Sequence, residues 1–129
     1  MKSIAVSIRN RVFSESVLLM LKQTGALQPI QIPTQPPEMI IIECRAAKPD
    51  ILLMDITPVS CDTALEGRLM MIDQLKKELP DCRYALLCDE TAYPEAARNV
   101  MRAKQRGQID AFFYASVTAE YLTASLEAL

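Results

Sequence analysis

Apolar and polar positions alternate along this chain in two rhythms. Short, nearly continuous apolar runs at residues 3–7, 30–32, 51–55, 84–88 and 111–114 predict strands buried on both faces. Between them the apolar positions recur at helical spacing. Phe13, Val17 and Leu21 return every fourth residue, and Gly25 follows as a C-cap. Ile40, Ile41, Cys44 and Ala47 share one face of a second helix, opened by Pro36-Pro37 and closed before Pro49. Leu65, Leu69, Ile72 and Leu79 predict a third, ended by Pro80-Asp81. Pro94 suits the first position of a fourth, with Ala97, Val100 and Met101 inward and Gly107 past its end. Thr118 can cap a fifth, with Leu122, Leu126 and Leu129 on one side.

Strict alternation of strand and helix implies parallel strands joined by right-handed crossovers. Five such units predict a doubly wound, flavodoxin-like α/β sheet in the order 2-1-3-4-5, with helices on both faces. Residues 28–37 carry Pro29, Pro33, Pro36 and Pro37, which predicts a short second strand and a stiff approach to the second helix. The 129 residues read as one domain with one proper core.

Composition narrows the function. A net charge of −2 argues against direct binding of nucleic acid by this segment, because phosphate contacts need a basic face. No apolar run approaches the roughly 20 residues of a membrane span, and no signal-peptide layout opens the chain, so a cytoplasmic location is expected. The four cysteines, Cys44, Cys61, Cys82 and Cys88, lack C-x-x-C spacing. Cys44 and Cys88 sit in apolar patterns and read as small buried hydrophobes of a reducing compartment. The sequence has no histidine, which removes histidine ligands, bases and catalytic pairs.

The most informative run is Pro49-Asp50-Ile51-Leu52-Leu53-Met54-Asp55. Four apolar residues lead to a carboxylate at the C-terminal edge of the predicted sheet, where open α/β folds place their ligand sites. Pro58 follows three residues later. The run closely resembles the third strand of the receiver domains of two-component response regulators, the CheY-like family, whose terminal aspartate accepts a phosphoryl group from a histidine kinase. Ile109-Asp110-Ala111-Phe112 resembles that family's approach to its fifth strand, and Val117-Thr118-Ala119-Glu120 the start of its last helix. The order of these motifs over nearly the whole chain carries the resemblance.

Against that family, the switch of this chain is incomplete. The resemblance places the phosphoacceptor at Asp55 and a switch aromatic at Phe112. The paired acids that would hold Mg²⁺ fall on Ile8 and Arg9, the hydroxyl residue on Cys88, and the lysine on Ala115. Magnesium needs oxygen ligands, and a slip of one residue brings in only Ser7 or Asn10. No metal, cofactor or enzymatic activity is expected. Asp89 and Glu90 read as loop acids favoured by the dipole of the fourth helix. Arg9 is expected to lie beside Asp55, its guanidinium standing in for the absent cation.

The resemblance therefore implies an atypical receiver that works without phosphorylation, through protein contacts. It is expected to be the N-terminal regulatory module of a longer protein whose output domain binds DNA. Two alternatives stay open: an ordinary receiver phosphorylated on Asp55 by a histidine kinase, and a flavodoxin-like protein binding a nucleotide or flavin. The second needs a glycine-rich loop, and the chain has three glycines, none in such a pattern. A symmetric homodimer through the fourth helix, fifth strand and fifth helix is also expected. Basic Arg98, Arg102, Lys104 and Arg106 would face acidic Asp110, Glu120 and Glu127 across a two-fold axis.

Overall fold

The computed structural model describes residues 1–58 and 64–129; Cys61 lies outside them. Strands and helices alternate as β1 (Lys2–Ser7), α1 (Arg11–Thr24), β2 (Leu27–Gln31), α2 (Pro37–Ala47), β3 (Ile51–Ile56), α3 (Leu65–Glu78), β4 (Arg83–Cys88), α4 (Pro94–Gln105), β5 (Ala111–Tyr114) and α5 (Ala119–Glu127). All strand pairs are parallel, and the sheet order is β2-β1-β3-β4-β5. This is the flavodoxin-like arrangement that the alternation predicts.

Period-2 alternation sorts the strand residues onto two faces. Ile4, Val6, Ile51, Leu53, Leu87 and Phe113 pack under α1 and α5, against Val17, Leu21, Leu122 and Leu126. Ala5, Leu52, Met54, Leu86 and Cys88 pack against α2, α3 and α4 through residues such as Ile40, Ile72 and Val100. Burial on both faces explains why β3 reads as an unbroken apolar run.

Local chemistry sets the helix ends. Asn10 Oδ1 accepts the Phe13 N–H at 3.0 Å to start α1, and Gly25 ends it with φ +71°. Thr118 Oγ1 accepts the Tyr121 N–H to start α5. Pro37 and Pro94 open α2 and α4. At the N-terminal edge of the sheet, Asp50 Oδ2 accepts the Ser3 N–H and Asp110 Oδ2 accepts the Tyr84 N–H, both at 2.8 Å.

Three details differ from the sequence expectations. β2 begins at Leu27 and contains Pro29, because it is an edge strand and a proline without an N–H is tolerated there. Ala47 and Met101 are exposed, and Ala103 takes the inward place expected of Met101. On α3 the fully buried stripe is Arg68, Met71, Ile72 and Leu75, whereas Leu65, Leu69 and Leu79 are only half-buried.

Candidate functional site

Asp55 is the fifth of six residues in β3, opposite Leu87 of β4 and followed by the buried Ile56. Its side chain is 11% exposed. Two neighbours hold it. Oδ2 accepts the main-chain N–H of Arg9 at 3.2 Å. Oδ1 lies 3.5 Å from Nη2 of Arg68, a residue with no exposed surface in the first turn of α3. Nε of Arg68 also donates to the Asp55 carbonyl at 3.2 Å. The guanidinium thus grips both the side chain and the backbone at the end of β3.

Burial dominates the electrostatics of this carboxyl and raises its pKa above the usual carboxylate value. The Arg9 N–H and the Arg68 charge pull it back down, without cancelling the effect of burial. The group is therefore a desolvated carboxylate with a fixed internal cation.

Arg68 carries no signal in the family pattern, and apolar periodicity passes over it. Its position on the 68-71-72-75 stripe of α3 is the feature that marks it as inward-facing. Arg9, by contrast, is exposed. Its main chain bonds Asp55, but its guanidinium lies in solvent and is the weakest of the charges acting on that group. Ile8 takes the inward position at the end of β1 and is buried, so the next side chain turns outward. The cation beside Asp55 comes from α3, which corrects the expectation for Arg9.

The other switch positions are only partly brought together. Ile8 and Ala115 line a cavity of about 280 Å³ over Asp55, with Phe13, Leu87 and Tyr93 as further walls. Cys88 is buried on the opposite face of the sheet, toward α2, α3 and α4. Burial, with Asp89 and Glu90 adding to it, pushes its thiol up to about 11, so it is a poor nucleophile. Phe112 is half-buried beside that same cluster, its ring 5.7 Å from Tyr114. Phe113 is a core residue of the α1/α5 face, with Tyr121 edge-on at 6.4 Å.

The described residues present a poor ligand set for a magnesium ion. Ile8 and Arg9 supply no side-chain oxygen at the end of β1. Asp89 Oδ1 already accepts the N–H groups of Thr91 and Ala92, shaping the turn before α4. Among the described residues no group of three or more Asp, Glu, Cys or His side chains is placed to hold a metal.

On the α4, β5 and α5 side, Arg98, Arg102, Lys104, Arg106, Glu120 and Glu127 are exposed. Asp110 is engaged within the chain, 3.7 Å from Arg83 and bonded to the Tyr84 N–H. An open groove of about 580 Å³ runs beside β5 and α5, bordered by Tyr114, Tyr121 and Leu129. Among the described residues no helix is long and apolar enough to cross a membrane.

No protein-family model and no curated protein matches the sequence. Solved structures match its fold over almost its whole length. A DNA-binding response regulator of the LuxR family from Staphylococcus aureus superposes with a TM-score of 0.77 at 10% identity, covering 99% of this chain and 98% of that one. The regulatory domain of the repressor of iron transport regulator, in its inactive form, gives 0.74 at 16% identity, covering 99% and 94%. The receiver domain of AraT, a response regulator from Geobacillus stearothermophilus, gives 0.71 at 12% identity, covering 98% and 93%. The chain has the fold of response-regulator receiver domains.

Proposed function

We propose that this chain is an atypical receiver domain of a response regulator, acting in the cytoplasm without phosphorylation and by protein contact rather than catalysis. One observation carries the reading. The carboxylate at the phosphoacceptor place is gripped from inside the fold by Arg68, while the end of β1 offers no acid to recruit magnesium. Phosphoryl transfer to an aspartate needs the metal to neutralise charge on the transferred group. Here the guanidinium holds the end of β3 in one arrangement instead.

The signal passes to an attached output domain that binds DNA. Supporting this, the matched structures include DNA-binding response regulators and the response regulator RcsB bound to DNA, of which this chain covers 59%. The α4, β5 and α5 face forms a constitutive homodimer, with Arg98 and Arg102 of one protomer set against Glu120 and Glu127 of its partner. Asp110, part-exposed and already held by Arg83 and the Tyr84 N–H, contributes less than Glu120 and Glu127.

Incubation with acetyl phosphate and Mg²⁺, followed by intact-mass measurement, tests the reading. The mass should stay that of the bare chain. A gain of one phosphate on Asp55 would instead identify an ordinary receiver fed by a histidine kinase.

A further inference from the structure

The cavity over Asp55 has a character that phosphate chemistry does not explain. Ile8, Phe13, Leu87 and Ala115 give it apolar walls beside the polar Asn10, Thr57 and Asp89, and its one deeply buried charged side chain is the Asp55 carboxylate. At about 280 Å³ it sits near the lower end of small-molecule pockets, roughly 300–1,000 Å³. We infer that it is a binding site for a small organic monocation, an aryl- or alkylammonium, with its charged end on Asp55 and its apolar body against Ile8, Phe13 and Leu87. This rests on the phosphate-independent reading, in which no phosphoryl group occupies the space.

Elimination among ligand classes supports the choice. An anion would meet two carboxylates, Asp55 and Asp89, against one buried guanidinium. At the start of α1 the Phe13 amide is taken by Asn10 Oδ1, and before α4 the Thr91 and Ala92 amides are taken by Asp89 Oδ1, which leaves fewer donors for an anion. A bare divalent ion would find only two carboxylates in the lining, with Asn10 Oδ1 and Asp89 Oδ1 already accepting main-chain N–H groups, and apolar walls it cannot use. A neutral apolar ligand would cut Asp55 off from water without giving it a partner, which is unfavourable. An ammonium group with an apolar body satisfies both parts of the cavity. A carboxylate has about four acceptor sites, and Arg9 and Arg68 occupy one on each oxygen. The raised pKa of Asp55 agrees, since its charge is under-compensated by the groups around it.

The test is an amide-shift titration of the ¹⁵N-labelled chain with benzylammonium chloride, using benzyl alcohol as the neutral control. Saturable shifts are expected at Arg9, Thr57 and Ala115, with millimolar affinity suited to so small a ligand. The alcohol should bind at least about tenfold more weakly, the loss expected when a charge-assisted bond is removed. Ala115→Phe fills the cavity without touching the Arg68 contact and should abolish the shifts. Asp55→Asn should weaken binding at least about tenfold. Equal binding of the alcohol, shifts that persist in Ala115→Phe, or no shifts up to the solubility limit would each overturn the site. Labelling by acetyl phosphate bears separately on the parent reading: a phosphorylated Asp55 beside an intact cation titration would remove that reading and leave the site standing.

Discussion

Replacing Arg68 by methionine keeps most of its volume and removes the charge that holds Asp55. At an effective dielectric constant of about 20, unit charges at the observed 3.5 Å attract by about 5 kcal/mol. Methionine no longer carries the cost of burying a guanidinium, which offsets part of this, but the carboxylate stays buried without its cation. Breaking such a pair from one side costs about 3 kcal/mol or more. For a domain of this size that corresponds to a fall in Tm of about 10 °C. Urea unfolding of Arg68→Met, Asp55→Asn and the double variant isolates the pair. The loss caused by Arg68→Met should shrink by about 2 kcal/mol when Asp55 is already Asn. The pH dependence has a defined sign. Burial raises the pKa of Asp55 in the folded protein, so its protonated form favours folding. That contribution is full below the unfolded carboxyl pKa and is lost as pH rises through the folded one. Without Arg68 the folded pKa rises further, so the deficit of Arg68→Met should be smallest in acid and widen toward neutral pH. A coupling below about 0.5 kcal/mol, no more than an exposed ion pair supplies, would refute the argument.

Gly25→Ala should destabilise by about 1 kcal/mol in urea unfolding, because φ is +71° and an added Cβ meets nothing within 4 Å, leaving backbone strain as the whole cost; an unchanged midpoint would contradict it. Burial pushes the thiols of Cys44 and Cys88 up to about 11 and of Cys82 up to about 12, so iodoacetamide at pH 8 should spare all three in the native protein and modify them in urea. Peptide mapping that finds Cys88 alkylated in the folded state would overturn this. Sedimentation at micromolar concentration and low salt should give about twice the 14.4 kDa chain mass, loosening as salt rises or when Arg98 becomes Glu. A monomer under those conditions removes the proposed dimer.

The fold was legible where local chemistry and periodicity agree. Gly25, Pro94 and Thr118 each mark a helix end through a mechanism confined to a few residues, and each stands where expected. The apolar run before Asp55 announced a central strand because burial on both faces leaves no polar alternation. Legibility failed where tertiary context overrides local preference. Pro29 reads as a strand breaker, yet an edge strand has an unpaired side that accepts it. Arg68 was invisible for a different reason. A search for apolar period favours Leu65, Leu69 and Leu79 and cannot recognise a charged residue on the buried stripe. Its pairing with Asp55 justifies it there, and Asp55 lies 13 residues away, across the β3–α3 connection. Arg9 adjoins the strand end in sequence, but the inward turn of Ile8 directs its side chain to solvent.

The central claim is that Asp55 answers to Arg68 and not to a metal-bound phosphoryl group. Beryllofluoride with Mg²⁺, which mimics an aspartyl phosphate, tests it most directly when added to the ¹⁵N-labelled chain. The amides of Arg9, Asp55, Thr57 and Ala115 should keep their shifts through saturating additions, and the melting temperature should not rise, as it must when a ligand binds the folded state alone. Saturable shifts at those amides, dependent on both magnesium and beryllofluoride, would show a working phosphoacceptor site and contradict the account.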